Sequence, residues 1–185
     1  MLRKNEKMEK NIIDSYPETN NSTYGQMTGT YPAHGQTITG TGQKIVKAYF
    51  YLAKVGSPTG NMVYKIYAMA GTHGSSGKPT GDALAQSESK DISEIGSSYE
   101  LVGLDFIGEN QIELEDGVNY CLVAESPNGV SSNYLKIGID FSSPTHDGNY
   151  FYKAGSTWYA DSGNDIIFYA VARDQAPSNF FALFN

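Results

Sequence analysis

Residues 44–53 alternate without a break. Val46, Ala48, Phe50 and Leu52 fall on one side, and Lys47, Tyr49 and Tyr51 on the other. A period of two sends every apolar side chain to one face of an extended strand. It excludes an amphipathic helix there, whose apolar residues recur every 3.6. The pattern returns at 61–68 with Met62, Tyr64, Ile66 and Ala68, and at 99–106 with Val102, Leu104 and Phe106 inward. It returns again at 134–141 with Leu135, Ile137, Ile139 and Phe141. Shorter strands are expected at 111–114 and 119–125. A hairpin is expected from 150–153 and 157–159, closed near Gly155. The last strand is expected at 165–172, with Ile166, Phe168 and Ala170 opposed to Ile167, Tyr169 and Val171.

The breaks between these runs carry turn chemistry. Gly56-Ser57-Pro58-Thr59-Gly60, Glu115-Asp116-Gly117 and Pro127-Asn128-Gly129 supply the Gly, Pro, Asn and Asp that turns require. A long loop is expected at 71–82, and 91–96 reads as a single helical turn. The 20 glycines and 14 tyrosines of the 185 residues fit this turn-rich, strand-rich reading. With strands beginning at Gln36, the pattern predicts an all-β fold, an antiparallel two-sheet β-sandwich that buries the alternating faces. No apolar run reaches the length of a spanning helix, so no membrane partner is expected.

The ends read differently from the body. Residues 1–20 are polar and read as an N-terminal arm, with a short extended piece at 11–16. Residues 21–174 form the sandwich. Residues 175–185 form an apolar tail, in which Phe180, Phe181, Leu183 and Phe184 would be exposed unless they fold back or enter a partner. They are the candidate assembly anchor. Residues 1–10 hold four basic and two acidic side chains, which leaves −9 on the rest of a chain whose net charge is −7. An acidic body repels phosphate, so nucleic acid is not an expected partner. Asn20 and Asn21 open overlapping glycosylation sequons, read as unused for want of an apolar signal stretch at the N-terminus.

Candidate chemistry is sparse. Gly77-Lys78-Pro79-Thr80 lacks the residues of a phosphate loop. His34, His73 and His146 lie in separate regions read as surface turns, with no ligand spacing between them. Cys121, the single cysteine, sits mid-strand and reads as a small core residue. Glu113, Glu115 and Asp116 lie beside a turn, where solvated acids are ordinary, and no catalytic residue is assigned. Asp147, Asn149, Asp161 and Asp165 lie in oxygen-rich loops. Those loops read as Asx turns, with calcium the alternative and no other cofactor expected. The aromatics stand out. Tyr150, Tyr152, Trp158 and Tyr159 share one predicted hairpin, and Tyr49, Tyr51 and Tyr67 look outward. They could pack across strands, meet another protein, or offer ring faces to the C–H face of a sugar.

Several segments together carry a resemblance. These are Gly42-Gln43-Lys44-Ile45-Val46 entering a Tyr-Phe-Tyr strand, the 56–61 turn, Lys78-Pro79-Thr80-Gly81 with Leu84-Ala85, Leu114 with Gly117, and Tyr120-Cys121-Leu122-Val123. Ser143-Pro144-Thr145-His146-Asp147-Gly148-Asn149 and Asp165-Ile166-Ile167-Phe168-Tyr169 complete the set. Residues 36–173 resemble the jelly-roll, carbohydrate-binding-module-like β-sandwich domains of phage and metagenomic virion proteins and bacterial surface proteins. The resemblance implies a non-enzymatic structural role. In it, a capsid-decorating or tail-associated subunit assembles with other virion subunits or itself and touches cell-surface glycan. Its expected place is the virion surface, after synthesis in the host cytoplasm. The alternative is a free or surface-exposed carbohydrate-binding module.

Overall fold

The computed structural model describes residues 11–173. The strands are β1 (Ile12–Tyr16), β2 (Thr23–Met27), β3 (Ala33–Thr39), β4 (Gln43–Val55), β5 (Asn61–Ala70), β6 (Lys78–Gln86), β7 (Lys90–Asp91) and β8 (Glu100–Asp105). They continue as β9 (Glu113–Leu114), β10 (Asn119–Glu125), β11 (Tyr134–Asp140), β12 (Tyr150–Ala154), β13 (Thr157–Asp161), β14 (Asp165–Ile166) and β15 (Phe168–Ala172). The described residues form an all-β sandwich of two antiparallel sheets, the predicted class.

Sheet one runs β1, β15, β4, β11, β14, with β2 on β11 and β8 and β9 on β4. Sheet two runs β13, β12, β3, β10, β5, β6, with β7 on β5. The chain passes repeatedly from one sheet to the other, so most hydrogen-bonded neighbours are distant in sequence. The 13-residue β4 is the spine of sheet one. Its length lets it pair with β9 and β8 along one edge and with β15 and β11 along the other.

The core lies between the sheets. Phe50, Leu52, Leu135 and Ile137 come from sheet one, and Ile38, Met62, Tyr64, Ile66 and Leu122 from sheet two, all fully buried. Tyr64 crosses the layer: its ring meets Phe50 edge-on at 4.8 Å, and its hydroxyl donates to the Val102 carbonyl at 2.8 Å. A buried phenol needs such an acceptor, and here it also ties β5 to β8.

The structure corrects several local expectations. Ile45, not Val46, is buried, because the pairing with β15 slips by one residue there and a β-bulge resets the alternation. The expected strand at 165–172 is two strands. It breaks at Ile167, whose N–H donates to Gly138 O and whose carbonyl accepts from Tyr51 N. β14 therefore pairs with β11 and β15 with β4, and Ile166, Ile167 and Phe168 are all buried in succession. Phe141 is 69% exposed rather than inward, because β11 ends at Asp140. The long loop at 71–82 is cut short by β6, and strands begin well before Gln36. Within the segment read as an arm, β1 pairs with β15 and buries Ile13 and Tyr16.

Asp140 holds that strand. It accepts from the Tyr16 hydroxyl at 2.8 Å and from Ser22 Oγ at 3.2 Å, and it caps Ser142 and Ser143. Burial alone would raise its pKa, but these donors outweigh burial and bring it down to about 2. The proposed anchor residues Phe180, Phe181, Leu183 and Phe184 lie outside the described residues.

Sheet two is strongly curled. β13 and β6 stand at opposite ends of its strand order, yet their Cα atoms come within 8 Å. Curling encloses a second small core on the sheet's far face, where Ala33, Cys121, Val123 and Phe151 are fully buried. Tyr67, Met69 and Trp158 close over it.

Candidate functional site

The β12–β13 hairpin turns through Gly155, whose φ of 57° lies in the left-handed region that glycine tolerates without strain. Its register pairs Tyr152 with Tyr159 and Lys153 with Trp158. Alternation then decides the faces. Tyr150, Tyr152 and Tyr159 share one face, and Phe151 and Trp158 share the other. The four aromatics expected to act together are therefore divided.

The first face carries a ladder of nearly parallel rings. His34 stacks on Tyr150 at 5.9 Å and 12°, Tyr150 on Tyr152 at 5.8 Å and 25°, and Tyr152 on Tyr159 at 5.5 Å and 18°. Tyr31 leans on Tyr152 at 6.1 Å. The ladder runs from inside to outside: Tyr150 is buried, Tyr152 half-buried and Tyr159 47% exposed at the sheet edge.

Its buried end is fixed by hydrogen bonds. His34 Nε2 lies 3.0 Å from the Gln26 carbonyl, which only accepts, so Nε2 carries the proton. Nδ1 is then the acceptor for the Tyr150 hydroxyl at 2.6 Å. The bond from Tyr150 requires a neutral imidazole, and burial lowers its pKa to about 4. His34 was expected on a surface turn. It lies instead in β3 at 3% exposure, because its polarity is satisfied on both sides.

The second face is a lid. Trp158 meets Phe151 at 5.6 Å and Tyr67 at 6.2 Å, both edge-on, and Lys153 Nζ stands 5.4 Å from its ring centre. Trp158 thus spends most of its surface closing the small core. Cys121 lies in that core as expected, its thiol pushed well up by burial.

The residues considered for calcium are engaged internally. Asn149 is fully buried. It accepts from Gly77 N at 3.1 Å and donates to the Gly77 and Tyr150 carbonyls. Asp161 accepts from Gly163 N and Asn164 Nδ2 in an Asx turn. Asp165 accepts from Gln36 Nε2 at 2.7 Å and from His146 N at 2.9 Å. Asp147 is exposed. Among the described residues, no group of three or more His, Cys, Asp and Glu is placed to hold a metal ion.

A polar cleft of about 470 Å³ lies where β1 meets the loop after β11, lined by Asp14, Tyr16, Thr41, His73, His146 and Asp147 among others. His146 Nδ1 accepts from Gly148 N at 2.9 Å, so Nε2–H donates to Asp14 Oδ1, also at 2.9 Å. Asp14 further accepts from Ser15 N and Thr39 N. The pair therefore reads as a clasp on β1, with both ring nitrogens occupied and no free base. Sequence reasoning missed the clasp, because Asp14 and His146 are 132 residues apart. It missed Tyr31 and His34 as ladder members for the same reason.

No family model, curated protein or solved structure matches this chain.

Proposed function

We propose that the protein is a non-enzymatic display domain of jelly-roll type that contacts glycan through the exposed end of the tyrosine ladder. The stacked Tyr152–Tyr159 pair carries this reading. Tyr159 stands on the end strand of sheet two at 47% exposure, and its ring orientation is fixed by the rings behind it. A preoriented aromatic face loses little rotamer freedom when a pyranose C–H face packs on it. Tyr31, 43% exposed, flanks the same ladder and supplies a second phenol for sugar hydroxyls.

A virion or cell surface is where such a domain would work, because many weak contacts become strong when copies are arrayed. Assembly through the terminal segments belongs to this proposal. Its support is the apolar composition of residues 180–184 and the resemblance of 36–173 to virion and surface sandwiches.

The test is a glycan array probed with the full chain and with Tyr159→Ala and Tyr31→Ala. Both residues are exposed, so folding should survive, as circular dichroism would verify. We expect each variant to lose about three- to tenfold in apparent affinity, the scale of one aromatic contact. A blank array, or variants that bind like the parent, would remove the hairpin as the site. Light scattering on the full chain and on a version lacking 175–185 tests the assembly part; identical masses would refute it.

A further inference from the structure

The outer face of sheet one carries a second aromatic cluster, separate from the ladder. Tyr51 of β4 and Tyr99, just ahead of β8, stack at 4.9 Å and 19°. Lys136 of β11 sets its ammonium 5.0 Å from the Tyr24 ring centre and 5.4 Å from that of Tyr99. Gln26 Nε2 donates to the Tyr134 hydroxyl at 3.5 Å. Glycine shapes the floor: a Cβ on Gly138 would stand 3.1 Å from Tyr51 Cδ1, so the ring lies close against the sheet.

Two features make this more than cross-strand packing. The first is charge. Lys47, Lys65 and Lys90 each hold a carboxylate at 3.1, 2.7 and 2.7 Å. Lys136 has none among the described residues, nor do Lys44, Lys54, Lys78 and Lys153, but Lys136 alone of these sets its ammonium between two tyrosine rings, on a protein of net charge −7. The groups acting on Tyr99 are burial and the phenols of Tyr24, Tyr51 and Tyr134, with no acid among them. The second is unmet hydrogen bonding. Tyr99 Oη and Asn21 Oδ1 are buried at this cluster without partners. Tyr24, 44% exposed, is the most exposed ring of the cluster.

We propose that this face binds a carboxylated saccharide. The carboxylate pairs with the Lys136 ammonium, and the pyranose packs its C–H face on Tyr24. The sugar hydroxyls bond to the phenols, Tyr99 Oη included once Tyr24 shifts. A single carboxylate on a sugar is the complement of one unpaired cation among aromatic rings. A polyanion such as nucleic acid would meet the repulsion of the surrounding acidic body. The ligand class rests on the glycan reading above; the site does not involve the hairpin.

The experiment is calorimetry on the full chain with two matched pairs: trigalacturonate against its methyl ester, and 3′-sialyllactose against lactose. We expect at least one acidic sugar to bind about tenfold tighter than its neutral partner, as a charge-assisted contact gives. Lys136→Gln should erase that preference, Lys136→Arg should keep it, and added salt should weaken it. Tyr24→Ala should weaken the acidic sugar in the same assay. Equal binding of both members of both pairs overturns the proposal, as does a preference that survives Lys136→Gln. Displacement by sodium acetate at the same concentration as the sugar overturns it too, leaving only a site for simple anions. Loss of this preference while Tyr159-dependent binding persists sinks this inference and leaves the hairpin reading. The reverse result sinks the hairpin reading alone.

Discussion

His34 makes the stability of this fold depend on pH below neutrality, and His73, its pKa also lowered by burial, adds to that dependence with the same sign. In the unfolded chain the pKa of His34 is 6.5; in the folded state it is lowered to about 4, because burial disfavours the charged imidazole. Above pH 7 both states are neutral and His34 contributes nothing to the pH dependence. As pH falls below 6.5 the unfolded chain takes up a proton that the folded chain refuses. Stability is therefore lost as pH falls toward 4, and the loss levels off below that. At pH 4.5 the difference amounts to roughly 2–3 kcal/mol relative to pH 7.5. For a domain of this size that is roughly 5–10 °C in Tm. The assay is urea unfolding of the parent and of His34→Gln at both pH values. Gln offers one donor and one acceptor, so it can serve Gln26 O and Tyr150 without titrating. The variant should lose most of the extra acid sensitivity. Asp140 does not interfere, since its contribution is lost only as pH falls from 3.8 toward about 2. Equal pH dependence in parent and variant would refute the neutral, doubly bonded His34 and the ladder geometry built on it.

Two further outcomes follow from the curled sheet. Phe151→Ala, which empties the small core of sheet two, should cost roughly 3–5 kcal/mol in chemical denaturation; a cost below 1 kcal/mol would mean that this core carries no real packing. Cys121 is buried with its thiol pKa raised, so iodoacetamide should leave it unmodified in native buffer and alkylate it fully in urea by mass spectrometry. Rapid native labelling would show that the Trp158 lid opens freely.

Part of the site was legible in the residues. The hairpin, its closing glycine and its aromatic content follow from 150–159, because a two-residue period and a turn signal are local properties. Its division into two faces is also a consequence of that period, once the register is known. The ladder was not legible. His34 reads as a turn residue until β3 is seen to pair with both β10 and β12, which buries it beside Tyr150. Tyr24, Tyr51, Tyr99 and Lys136 lie in four separate stretches, and nothing local announces that one sheet face gathers them.

The sequence by itself determined the class of the protein. Alternating runs broken by Gly, Pro and Asx turns can bury their apolar faces as strands and not as helices. They also named most of the inward side chains, Phe50, Leu52, Tyr64, Ile66, Leu135 and Ile137 among them. Only the tertiary structure decided which strands are neighbours, where the alternation slips at Val46 and breaks at Ile167, and how far sheet two curls. Those are set by non-local demands: nearly every buried N–H, C=O and hydroxyl must find a partner, and each apolar face must find another. The residues that meet those demands, Asp14 with His146 and His34 with Tyr150, stand more than a hundred positions apart.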